Sequence, residues 1–154
     1  MARFAVRLVI PILLAALLLA QEAPAQSPRA ITFSGQIIEA SNPPTPNAPD
    51  PTIPSALLGE LKKTFQFTQY KSLGTVTGST PVGKMWSTPL AATGLTLEVT
   101  PRAVDVGTIT VEARLLRGGA AVVTSNLKLA PGGQVLVGGS TIPGGRLILA
   151  LTGR

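Results

Sequence analysis

No cysteine and no histidine occur among the 154 residues of this chain. The first absence excludes disulfides, a lipid-modified N-terminal cysteine and thiolate chemistry. The second removes imidazole as a base or metal ligand, so His-based triads, cysteine nucleophiles and the usual zinc sites have no residues from which to be built. No cofactor or metal is expected, and the chain reads as a non-enzyme. Charge is scarce as well, at 13% of residues, and aromatic residues reach only 4%. The basic residues are scattered from Arg29 to Arg154 without the dense runs and interleaved aromatics of a nucleic-acid groove. They read as aids to solubility, with weak attraction to anionic envelope surfaces as the functional alternative.

What the chain does have is 45% hydrophobic residues, 16 glycines and 14 prolines. That balance suits short strands divided by many turns better than long surface helices. The first residues have the layout of a secretion signal: Arg3 and Arg7 precede an apolar run at residues 8–20, and Ala23-Pro24-Ala25 supplies a small-residue cleavage site before Gln26. The run is short against the roughly 20 residues that a spanning helix needs, which favours cleavage after Ala25 over an uncleaved anchor. Cleavage there removes two basic residues and one acidic residue, taking the formal net charge from +6 to +5. The expected layout is a signal peptide at 1–25, a strand and proline-rich connection at 26–54, and a β-rich domain at 55–154 whose sheet the strand at 30–40 joins. Such a chain works in the periplasm or outside the cell, with no transmembrane span in its mature form.

Ile31, Phe33 and Ile37 share one parity within residues 30–40 and predict a strand, with Gly35 as a candidate bulge. Six prolines between 41 and 54 then forbid a helix or a central strand and predict an extended, exposed connection whose deletion costs little stability. Its two P-x-x-P spacings, Pro43 to Pro46 and Pro46 to Pro49, are weighed as a partner ligand and set aside in favour of a simple crossover. From Ser55, the spacing of Leu57, Leu58, Leu61 and Phe65 predicts a short helix capped by Ser55, with Lys62 and Lys63 at its C-terminal end. Strand propensity returns near Phe65 and runs on past Gly74.

Beyond Gly78 the pattern is strand and turn. Leu95, Leu97 and Val99 alternate with polar residues, as do Ile109, Val111, Ala113 and Leu115. Gly118-Gly119, Pro131-Gly132-Gly133 and Gly144-Gly145 punctuate the rest, predicting that the last four strands form an antiparallel meander. Residues 147–151 are apolar on both parities, which predicts a central strand covered on one face by the helix and on the other by a second sheet. The fold class is therefore mainly β: an antiparallel sandwich or barrel-like domain with one short helix near its N-terminal side.

Candidate chemistry is thin. Glu98 and Glu112 lie on the polar parity of successive strands, the arrangement from which a glycosidase pair arises, but charges matched by Arg102, Arg114 or Lys128 are the simpler reading. The run Gly132-Gly133-Gln134-Val135-Leu136-Val137-Gly138-Gly139 brackets a β-branched strand, whereas a phosphate loop must open a helix, so these glycines read as turns. Trp86, beside Lys84 and Met85 in a turn-rich segment, and Tyr70 are the candidate contacts for a protein partner or a glycan, although packing into a small core is the favoured reading of Trp86.

Phe65, Phe67, Tyr70 and Leu73 form Phe-x-Phe-x-x-Tyr-x-x-Leu; together with the glycine-bracketed run at 132–139 and Gly144-Gly145-Arg146-Leu147-Ile148-Leu149, they give residues 65–154 a recognisable outline. In that outline the chain resembles a loose set of small exported bacterial β-domain proteins. The glycine-bracketed strand is also similar to a hairpin stretch of outer-membrane secretin channels, for which the chain is far too short. The resemblance implies export and a β-fold and carries over no active residue. The function expected is an exported, non-catalytic protein-binding or assembly module, with another envelope protein or a second copy as partner; the alternative is a carbohydrate-binding surface module.

Overall fold

A computed structural model describes residues 28–154. The expected signal peptide at 1–25 and its cleavage site lie outside the described residues. Eight strands and one helix follow in chain order: β1 (Ala30–Ser41), α1 (Ser55–Thr64), β2 (Gln69–Pro81), β3 (Trp86–Leu90), β4 (Leu95–Asp105), β5 (Thr108–Arg117), β6 (Ala120–Leu129), β7 (Gln134–Ile142) and β8 (Gly145–Gly153). They build two four-stranded sheets, ordered β2-β1-β8-β7 and β3-β4-β5-β6, and every pairing is antiparallel. Alternation explains the main core: Phe33 and Ile37 from β1, Leu97 and Val99 from β4, Val111 and Leu115 from β5 and Leu147, Leu149 and Leu151 from β8 are buried between the sheets.

β8 is the strand apolar on both parities, and it is covered on both faces. Leu147, Leu149 and Leu151 face the second sheet, while Ile148 and Ala150 join Ile38, Ala40, Leu57, Leu61 and Tyr70 beneath α1. The strand predicted at 30–40 lies beside it in the interior of the same sheet. Leu57 and Leu61 are the buried side of α1, and Lys62 and Lys63 occupy its last turn.

Four local expectations are corrected. Ser55 does not cap α1: Pro54 holds the cap position and no side chain caps the end. Gly35 marks no bulge; it faces the core, where an added Cβ would stand 3.0 Å from Leu149 Cδ1. The register shift instead falls between Ile37 and Ile38, opposite Leu73-Gly74 of β2, where Gly74 adopts φ +137°. Gly138-Gly139 is likewise a bulge within β7 and not a turn. Finally, the last four strands are not one meander, because β6 and β7 belong to different sheets. The Pro131-Gly132-Gly133 link crosses between layers: Gly132 N–H donates to Gly153 O of β8 at 3.0 Å, and proline has no N–H with which to continue a ladder.

The proline-rich segment is mostly exposed, as expected, but it is tied down. Asp50 accepts hydrogen bonds from Thr52 Oγ1 at 2.6 Å, Thr52 N at 2.9 Å and Ser72 N at 2.8 Å. Asn42 Oδ1 accepts from Thr68 N, Gln69 Oε1 accepts from Asn47 N, and Ile53 is buried against α1. The arm therefore lies along the start of β2.

Candidate interaction edge

The two aromatic candidates are held by the fold. Tyr70 opens β2 and is only 3% exposed. Its hydroxyl lies 3.1 Å from Leu61 O, which also accepts from Phe65 N, and 3.0 Å from Phe65 O, donating to these carbonyls at the end of α1, and Phe67 meets its ring edge-on at 6.4 Å. Burial pushes the Tyr70 phenol above its ordinary value of 10.0. No face of this ring is available to a glycan. Trp86 is not in a turn but begins β3; it is half-buried and packs on the main core, with its indole over Gly78 of β2, where any Cβ would collide with it.

The carboxylates are equally committed. Glu98 lies opposite Arg114 and pairs with it at 3.2 Å, while Glu112 pairs with Arg102 at 2.6 Å. The two glutamates therefore occupy separate ion pairs on the outer face of their sheet. The hydrogen bonds from Thr52 and the Ser72 amide hold Asp50 below the usual carboxylate range. The glycines at 132–139 flank a strand and open no helix.

What the fold leaves unguarded is a sheet edge. Two sheets have four edges, and an edge with free N–H and C=O groups is a template for another strand. Three of them carry devices against this. β2 has the bulge at Gly74, a proline at its end and the proline-rich arm along its start, with the Ser72 amide taken by Asp50. β3 is five residues long and contains Pro89. β7 is bent by its own bulge, and two of its carbonyls are occupied: Arg146 Nη1 donates to Gly139 O at 3.0 Å, and Arg117 Nη2 donates to Thr141 O.

β6 has none of these beyond one end. Its register slips at Val122, and from Val123 to Leu129 it pairs residue by residue with β5 on one side only. That stretch contains no glycine, no proline and a single charge, Lys128. Among the described residues, no side chain hydrogen-bonds to its backbone. Val123, Leu127 and Leu129 turn toward the core, while Thr124, Asn126 and Lys128 face outward, so the free edge has one apolar and one polar side. Seven residues extend roughly 23 Å, and about every second one presents both its N–H and its C=O outward. The sequence signal that would have found this edge was a ten-residue strand, AAVVTSNLKL, without a gatekeeping charge at its centre.

No family model, curated protein or solved structure matches this chain.

Proposed function

We propose that this chain is an exported, non-catalytic protein-binding or assembly module that accepts a strand from another polypeptide along β6. The observation that carries the reading is the contrast among edges: three are blocked by bulges, prolines or captured carbonyls, and residues 123–129 of β6 are not. The partner strand is amphipathic, with apolar residues continuing the layer of Val123 and Leu127 and polar residues beside Thr124 and Asn126. Export rests on the leader-like residues 1–25 and on the resemblance to small exported bacterial β-domains. The non-catalytic reading is supported by the pairing of Glu98 and Glu112 with separate arginines.

Carbohydrate binding is the second reading. With Tyr70 buried and Trp86 half-buried, it draws support from a different surface. On the outer face of β1, β2 and β8, the face that also carries α1, Ser34 lies opposite both Thr77 and Thr152, and Thr32 lies opposite Ser79, away from the residues that the helix covers. These hydroxyls form an uncharged plane suited to a neutral glycan.

Adjacent prolines separate the first reading from its rival. In an antiparallel edge, either Thr124 or Ser125 points its N–H outward and the other bonds to β5. Thr124→Pro and Ser125→Pro, made in the chain starting at Gln26, are compared by thermal unfolding, light scattering and crosslinking in the native envelope. The variant that keeps wild-type stability is expected to lose self-association or the crosslinked partner. Unchanged association in that variant refutes strand addition at β6, and a glycan pull-down abolished by Thr77→Lys then establishes the second reading.

A further inference from the structure

The end of the sandwich at which β1 begins has an unusual surface. It gathers the turn between β2 and β3, the hairpin tip between β4 and β5, the crossover from β6 to β7 and the last residues of β8. The first of these turns is tied to β4 by a hydrogen bond from Gly83 N to Pro101 O at 2.8 Å. Five large apolar side chains are exposed among the described residues, and four of them stand here: Val82 at 42%, Met85 and Val104 at 55%, and Val106, fully exposed at the hairpin tip. Between these turns lies an open cleft of about 410 Å³, lined by Ile31, Val82, Val104, Ile109 and Pro131, with Arg29 and Arg154 among its walls. Isolated exposed valines need no explanation, but a contiguous group of this kind marks an interaction surface.

Charge gives the group its chemistry. Arg29, Lys84 and Arg154 surround the valines, and the hairpin tip carries the single carboxylate of Asp105. Apolar tips ringed by cations fit an interface of anionic headgroups over acyl chains. Chain connectivity points the same way. The residues before Pro28 enter at this end, and they include the apolar run at 8–20. Eight residue steps from Ala20 to Pro28 reach at most about 28 Å. Whenever that run sits in a bilayer, this end of the sandwich is held within that distance of lipid.

We propose that this end of the sandwich is a docking surface for an anionic lipid bilayer, with Val82, Met85, Val104 and Val106 entering the interface and Arg29, Lys84 and Arg154 meeting headgroups. It is separate from the strand-addition edge and does not depend on it. The surface acts in the chain after residues 1–25 are removed, so that release from the leader leaves the protein peripheral to the membrane.

The test is co-sedimentation of the chain starting at Gln26 with vesicles of phosphatidylcholine alone and of phosphatidylcholine with phosphatidylglycerol. Binding is expected to the anionic vesicles and to weaken with added salt. Val104→Ser with Val106→Ser is expected to lower the partition about tenfold, and Lys84→Ala about fivefold. Val106→Ser alone, at a fully exposed position, lowers it without touching the fold, while Val122→Ser, an exposed valine on β6, leaves it unchanged. Absence of binding to anionic vesicles overturns the proposal, as does binding that ignores the Val104 and Val106 substitutions. An oligomer that these same substitutions dissolve, in a protein that does not bind vesicles, also overturns it and assigns the surface to a second copy.

Discussion

Glycines placed beneath aromatic rings settle much of the packing at the scale of single residues. Trp86 reaches across from β3 to cover Gly78 of β2, and Phe65, just past α1, lies over Gly138 of β7 with ring carbons 3.2 Å from where a Cβ would stand. Gly78→Ala is expected to cost about 1–3 kcal/mol because the indole must move. Combining it with Trp86→Leu should recover part of that loss, a coupling that a double-mutant cycle of urea midpoints measures directly. Tyr70→Phe removes a hydrogen bond to the end of α1 and is expected to cost about 1 kcal/mol. It also alters the response to base. Burial raises the folded-state pKa of Tyr70, so its stabilising contribution is complete below pH 10 and is lost as pH rises from there through the folded value. Wild type should therefore lose stability above pH 10 more steeply than Tyr70→Phe. Both aromatics were legible as exceptional in so aromatic-poor a chain. Core packing of Trp86 was legible too, though not that its indole would lie over a glycine eight residues away; the burial of Tyr70 was not, because it depends on the carbonyls of a helix end.

At the scale of elements, patterns that depend on one strand alone were readable, and those that depend on two were not. Alternation in β4 and β5, and the two-sided apolar run of β8, each state which faces are covered, and the structure covers those faces. The link from β6 to β7 was misread because Pro-Gly-Gly chemistry serves a hairpin and a crossing between layers equally well. The bulge was misassigned to Gly35 for a related reason: a glycine within a strand marks either a bulge or a close approach, and only the partner strand decides. The proline-rich arm shows the same limit. Composition marked it as exposed, but not that Asp50 reaches the Ser72 amide of β2. Deleting residues 41–51 is therefore expected to lower the thermal midpoint, contrary to what the composition suggested, and Asp50→Ala should hasten amide exchange at Ser72. Because the folded-state pKa of Asp50 is depressed, this tether is present above the ordinary carboxylate range and is lost as pH falls through the lowered value. The protection of the Ser72 amide, taken relative to the intrinsic exchange rate at each pH, should thus fall in acid in wild type and change little in Asp50→Ala.

For the whole molecule, the decisive contact is between the first strand and the last. β1 and β8 lie side by side at the centre of one sheet, pairing Phe33 with Gly153 and Ala40 with Arg146. Neither the main core nor the cluster beneath α1 can close until β8 is in place, since it contributes Leu147, Leu149 and Leu151 to one and Ile148 and Ala150 to the other. Pairing across so much intervening chain is slow, because loop closure must be met before the contact stabilises anything, and folding in milliseconds to seconds is expected. Leu149 is the sharpest probe of this arrangement: it is fully buried, packs over Gly35 and belongs to the strand that both layers share. Leu149→Ala should cost about 2–5 kcal/mol, and if β1–β8 docking comes late, that cost appears mainly as faster unfolding. Stopped-flow refolding and unfolding in urea divide the loss between the two rates. A loss carried mostly by slower folding would mean instead that the first and last strands meet at the barrier, and that the sandwich grows outward from their pairing.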